Sequence, residues 1–256
     1  MNEAVRREHE NFFKIDLSES PIVPLIIHTP DKFPEPRLVN TKKIVSIGRL
    51  VPFKMYVIPV IRILAKLNEQ GHSFEYHIYG DGEMMEQVKQ LIEDLHASNF
   101  VFMHGTIAYD NFNKVIQDAL LFIGMGTSII ESSARGVPSV LAIESRSDDA
   151  TYGWYYDQKG YEVGEQIVEN AVFSYEQFIL QAFNSTPTEY EEMCFKSWKK
   201  SQEFSSAVVM NKYYQLLNDA DRNFNYKLPA YLKWVLKIMR QPLKLKFFVK
   251  KVYQGR

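Results

Sequence analysis

The stretch IVSIGRLVPFK, residues 44–54, decides the fold. Its opening IVSI is an apolar run rich in β-branched residues, the composition of a strand covered on both faces. The run ends in Gly48, and two cations, Arg49 and Lys54, follow closely. An apolar strand that delivers a glycine and paired positive charge to its carboxyl end is suited to holding phosphate beside a parallel sheet. Taken singly, Arg49 and Lys54 are equally consistent with solvated surface charge, the common state of such residues. A second segment, GMGTSIIESSARGVP at 124–138, stands where the same site needs its other wall.

Outward from this stretch, strand and helix patterns alternate from about residue 42 to 163. Strand-like runs recur as KIVSIG (43–48), FEYHIYG (74–80), FVFMHG (100–105), ALLFIG (119–124) and PSVLAI (138–143). Between them, Val57, Val60, Ile61, Leu64 and Leu67 keep helical spacing, as do Met85, Val88, Leu91, Ile92 and Leu95. Strands separated by helices of this length predict an α/β fold, a single Rossmann-like doubly wound sheet of mainly parallel strands. The expected organisation has four parts. Residues 1–38 form a short helix and a proline-rich extended linker, and 39–173 the Rossmann-like domain. Residues 174–225 form a helical region, and 226–256 a basic amphipathic tail.

Composition narrows the class. A content of 46% hydrophobic and 24% charged residues is that of an ordinary globular protein. Cys194 is the only cysteine, so an intrachain disulfide is excluded, which suits a reducing compartment. The first residues lack the apolar core of a signal peptide, and no apolar run approaches a membrane span. The expected location is therefore cytoplasmic. Net charge is −1, yet residues 227–256 hold seven lysines, two arginines and no acid. In that tail Leu232, Val235, Leu236 and Met239 fall on one helical face beside Lys233, Lys237 and Arg240. Phe247, Phe248 and Tyr253 follow among further lysines. Apolar face, basic stripe and aromatic rings predict peripheral attachment to an anionic membrane surface. Nucleic acid is not expected as a partner, because phenylalanine and leucine are too frequent for a tail that tracks phosphates. A basic face packed on another domain is the alternative.

Ligands of open α/β sheets bind beyond the carboxyl ends of the strands, and four strands here end in suitable loops. These are Gly48-Arg49, Gly80-Asp81-Gly82, His104-Gly105-Thr106, and Gly124-Met125-Gly126-Thr127-Ser128. The last leads into a helix, whose free amides and hydroxyls would face an anion. Any one of these glycines alone also fits a tight βα turn. The dinucleotide fingerprint is absent, since Ile129 takes the place of its third glycine. Ser128 and Glu131 have the spacing of a capping box, which would occupy Glu131 without any ligand. The six histidines lie on separate elements without metal-ligand spacing, and neither a metal nor a cofactor is expected. Asp219-Ala-Asp221 follows a helix rather than a buried strand and reads as solvated charge.

Together these segments resemble the carboxyl-terminal domain of GT-B fold glycosyltransferases, the large family four of retaining enzymes. The family's Gly-Arg-Leu with a nearby lysine is GRLVPFK here, and its Gly-Asp-Gly is 80–82. Its Phe-x-Gly falls at 102–105, and its Glu-Ala-x-Ala-x-Gly-x-Pro helix is ESSARGVP, 131–138. The resemblance covers about residues 30–165. It implies that Arg49 and Lys54, beside Gly48, hold a diphosphate together with the amides and hydroxyls of Gly126, Thr127 and Ser128. It implies further that Glu131 takes the ribose hydroxyls and that the loop of His104, Gly105, Thr106 and Ile107 lies against the base. The partner is then a nucleotide-sugar donor.

Two departures from the family stand out. A second glutamate, eight positions before Glu131, is Ile123 in this sequence. The family's amino-terminal acceptor domain has no counterpart in these residues, so a separate acceptor-domain protein or a second copy of the chain is expected to complete the site. The expected activity is metal-independent hexosyl transfer in cell-surface polysaccharide or glycolipid synthesis. The alternatives are an inactive nucleotide-sugar-binding module and a two-domain sugar-nucleotide epimerase.

Overall fold

The alternation of apolar strands and amphipathic helices is realised in the computed structural model, which describes residues 2–34, 41–167 and 170–219. In chain order the elements are α1 (Glu3–Phe13), β1 (Lys43–Ile47), α2 (Val57–Glu69), β2 (Glu75–Tyr79), α3 (Met85–Asp94), β3 (Val101–Met103), α4 (Phe112–Ile116), β4 (Leu121–Gly124), α5 (Thr127–Ala134), β5 (Ser139–Ala142), β6 (Thr151–Trp154), α6 (Tyr175–Asn184), α7 (Pro187–Ser201) and α8 (Ser206–Asp219). The strands form one sheet of order β3-β2-β1-β4-β5-β6. The first five are parallel, and β6 runs antiparallel to β5 along one edge. Sequence periodicity missed β6.

Period-two alternation divides strands β1, β2, β4 and β5 between two cores. Ile44 of β1, Tyr76 and Ile78 of β2, Leu121 and Ile123 of β4, and Val140 and Ala142 of β5 join one cluster with α2, α3 and α6. Val45, Tyr79, Phe122 and Leu141 join the other, with Phe112, Ile116, Ile129 and Ile130 from α4 and α5. Val57, Val60, Ile61, Leu64 and Leu67, the helical set read from sequence, are all buried on α2. Helices on both faces explain why these strands read as near-continuous apolar runs.

The helical stretch after 174 is three helices, and two of them belong to the sheet's core. Tyr175, Phe178 and Ile179 of α6 are buried among α2 residues, and α7 packs along α5. Residues 21–30 of the proline-rich segment are extended and pinned to α7 and the turn after it. Ile27 N–H donates to Phe204 O at 2.9 Å, and Trp198 Nε1 and Gln202 Nε2 each donate to Pro30 O at 3.1 Å. Met1–Gln215 form one compact unit and Leu216–Arg256 a second, of which only residues 216–219 are described. The basic amphipathic tail expected at 226–256, and Asp221 of the Asp-Ala-Asp pattern, lie outside the described residues. No described helix is long and apolar enough to cross a membrane.

Candidate functional site

In a 3-2-1-4-5-6 sheet the strand order reverses between β1 and β4, and a crevice opens beyond their carboxyl ends. Gly48 ends β1 there and Gly124-Met125-Gly126 ends β4. The chain leaving β1 stays bound to the loop leaving β2. Gly48 N–H donates to Tyr79 O and Leu50 N–H to Asp81 O, both at 2.9 Å. This approach requires glycine on the facing strand. A Cβ on Gly80 would stand 1.8 Å from Gly48 O, and one on Gly82 would stand 2.2 Å from Leu50 O. The Gly-Asp-Gly pattern is thus a clamp that fixes the direction in which Arg49 leaves the strand.

Lys54 joins the two walls of the crevice. Its Nζ lies 3.4 Å from the point where a Cβ on Gly48 would stand and 3.9 Å from the corresponding point on Gly126. A turn of 3₁₀ helix, Pro52–Lys54, brings it back over the strand end. Phe53 faces both cations, with Arg49 and Lys54 each 5.9 Å from its ring centroid. Arg49 is exposed and Lys54 half-buried. Burial first, and the nearby Arg49 second, lower the Lys54 pKa. Two like charges thus lie near one another, one of them partly desolvated, at the carboxyl end of the strand.

The β4 wall departs from expectation in two respects. The Gly126 N–H already donates to Val163 O at 2.6 Å, so it does not point into the crevice. Its φ of 73° turns the chain so that α5 begins at Thr127, with Gly126 itself as N-cap. The first free amides are therefore those of Thr127 and Ser128. This also removes the capping box. Ser128 is the second residue of the helix, its Oγ donates back to Met125 O at 3.1 Å, and α5 has no side-chain cap.

Glu131 is engaged instead by neighbours that the sequence reading did not select. It is buried; its Oε1 accepts from Tyr109 Oη at 2.7 Å and its Oε2 from Arg135 at 2.6 Å. Arg135 is fixed in turn, stacked 4.8 Å from the Phe112 centroid and bonded to Asn113 Oδ1. Tyr56 was missed as well. Its buried hydroxyl lies 3.6 Å from the Cβ point of Gly48, and burial raises its pKa, so it remains a hydrogen-bond donor.

His104 stacks flat on Tyr79, centroids 4.4 Å apart, and its Nε2 is 2.9 Å from His77 Nδ1. Burial, then His77 and Lys43, lower its pKa and favour the neutral ring. Gly105, at φ 69°, has open space where a Cβ would stand, and Thr106 is exposed. Structure thus gathers Gly48, Lys54 and Gly126 at one point. It leaves Arg49, Thr127, Ser128 and Glu131 on the adjoining elements, and His104, Gly105 and Thr106 on the loop that leads to Tyr109.

Comparison with known proteins bears on this crevice. The family model described as glycosyl transferases group 1 matches residues 29–145, which contain every residue just named. The match takes in β1 to β5 and the loops at their carboxyl ends. The chain is 27% identical over 212 residues to the poly(glycerol-phosphate) alpha-glucosyltransferase of Bacillus subtilis (strain 168), covering 77% of this chain and 30% of that one. It is 29% identical over 112 residues to the poly(ribitol-phosphate) alpha-N-acetylglucosaminyltransferase of Staphylococcus aureus (strain COL), covering 41% of this chain and 22% of the other. A TarM variant from S. aureus, solved with UDP, alpha-GlcNAc-glycerol and fondaparinux, superposes with a TM-score of 0.58 at 21% identity. That match covers 85% of this chain and 43% of TarM, so the chain spans less than half the length of these relatives.

The position eight residues before Glu131 carries no carboxylate. Ile123 is fully buried in β4, and its carbonyl accepts from Ser46 Oγ at 2.6 Å, so this position faces the core. A cavity of about 860 Å³ lies away from the crevice, lined by residues such as Arg7, Glu144, Tyr152 and Gln166.

Proposed function

We propose that the crevice binds a nucleoside-diphosphate sugar and that the chain serves as the donor half of a glycosyltransferase of cell-surface polymer or glycolipid synthesis. The placement of the Lys54 ammonium between Gly48 and Gly126 carries this reading, because it puts a half-buried cation at the reversal point of the sheet. Arg49 and Lys54 grip the diphosphate, helped by the Thr127 and Ser128 amides. As the bond from sugar to phosphate breaks, charge accumulates on the leaving oxygen, and these fixed cations and dipoles stabilise it. Glu131 takes the ribose hydroxyls, and the His104–Thr106 loop lies against the base. The names of both curated relatives give hexose transfer to polyol-phosphate polymers, which favours an acceptor of that class.

A second reading, an inactive nucleotide-sugar-binding module, draws on the buried Ile123 at the position where the resembled family carries its second glutamate. Assaying sugar transfer to a polyol-phosphate acceptor against UDP binding alone separates the two, and donor isomerisation would point to an epimerase. A peripheral position on the inner membrane surface, through the basic tail, belongs to the same proposal. The direct test is calorimetry of UDP binding. Charge-assisted bonds to phosphate contribute about 1.5–3 kcal/mol each, so Lys54→Ala should weaken binding roughly ten- to a hundred-fold. Unchanged affinity would reject the site.

A further inference from the structure

Glu131 is a carboxylate with one fixed and one replaceable partner. Arg135 holds Oε2 and the Glu131 carbonyl, and is itself fixed by Phe112 and Asn113. Oε1 is filled by the hydroxyl of Tyr109, whose residue is 60% exposed. Tyr109 begins the short 3₁₀ turn Tyr109–Asn111, on the loop that continues from His104. The Tyr109 hydroxyl meets both Glu131 and Arg135, and the Glu131 bond is the first cause of the phenol's raised pKa, which keeps it a donor. A phenol O–H and a ribose O–H offer a carboxylate the same bond.

We propose that Tyr109 is a ribose surrogate, a positioning residue whose hydroxyl occupies Glu131 in the nucleotide-free protein and must swing away when a nucleotide binds. The inference rests on Glu131 as the ribose ligand. While the nucleotide is absent, the bond keeps a buried carboxylate satisfied and the α5 wall in place. It also subtracts its own strength from nucleotide affinity, since ribose gains Oε1 only by displacing it. Removing the hydroxyl while keeping the ring should therefore tighten binding of ligands that carry ribose and leave others alone.

The experiment is calorimetry of UDP and of inorganic pyrophosphate with the full chain, comparing wild type, Tyr109→Phe and Lys54→Ala. The expected result is a UDP dissociation constant about ten-fold lower in Tyr109→Phe, with pyrophosphate unchanged. UDP affinity equal to or weaker than wild type in Tyr109→Phe, while Lys54→Ala still weakens both ligands, overturns the surrogate and leaves the phosphate site standing. Equal tightening of UDP and pyrophosphate overturns it too, because the gain would then not involve ribose. Lys54→Ala without effect on either ligand removes the nucleotide site itself, and the inference with it.

Discussion

Lys54 is half-buried beside Arg49, and burial more than the neighbouring charge lowers its pKa below that of an ordinary lysine. A bound diphosphate supplies the opposite charge and moves the pKa back up. In the alkaline range below ordinary lysine titration, the free protein thus carries less than a full proton there and the complex carries more. Nucleotide binding should then take up protons, and affinity should fall as pH rises through the lowered pKa. Calorimetry in buffers of different ionisation enthalpy measures that uptake, which should vanish in Lys54→Ala. Glu131 gives a second contrast. A capping role would tolerate glutamine, but the observed carboxylate bridges Tyr109 and Arg135. Glu131→Gln should cost about 1–3 kcal/mol, seen as a melting temperature lowered by roughly 2–4 °C per kcal/mol, and should also weaken UDP binding. Unaltered melting would show that the Arg135 pair contributes nothing.

Among the elements, the β1–β2 clamp makes the sharpest claim. Gly80→Ala would drive a Cβ to 1.8 Å from a carbonyl oxygen that cannot retreat without breaking the Gly48–Tyr79 bond. The expected cost is roughly 3 kcal/mol or more in urea unfolding, with UDP affinity lost because Gly48 and Arg49 shift together. Near wild-type stability in this variant would mean that the strands are not held in this register. Such strand-end features were legible from sequence because each is a contiguous run of strand, glycine and charge. The β6 strand was not, since TYGW is four residues long and holds Gly153 at φ 82°. It forms by capping the edge of β5, with a further bridge from Thr151 to Phe173. The roles of Tyr109 and Tyr56 were hidden for a different reason. Tyr109 meets Glu131 across 22 residues of chain, and only the folded sheet brings them together. The spacing of Ser128 and Glu131 was legible but misleading, because the positive φ of Gly126 starts the helix earlier than a serine cap would.

For the whole molecule, burial separates what the sheet holds from what it leaves exposed. Helices α6 and α7 supply Tyr175, Phe178, Ile179, Tyr190 and Met193 to the core. On α8, by contrast, Val208, Met210, Tyr213 and Tyr214 are exposed and only Val209 is buried. The sequence beyond α8 turns strongly basic and aromatic, with nine cations and no acid from 227 to 256. We propose that this segment binds anionic lipid and brings the crevice to a membrane surface where a lipid-linked or polymeric acceptor is made. Each cation near such a surface contributes about 1 kcal/mol, so most of the attraction should disappear at high salt, while the apolar face retains a weaker affinity. The measurement is co-sedimentation with phosphatidylserine-containing and with neutral vesicles, for the full chain and for a chain ending at Asn225. Only the full chain should pellet, and only with anionic vesicles, in proportion to their charge. Equal pelleting of both chains would place the lipid contact elsewhere on the molecule.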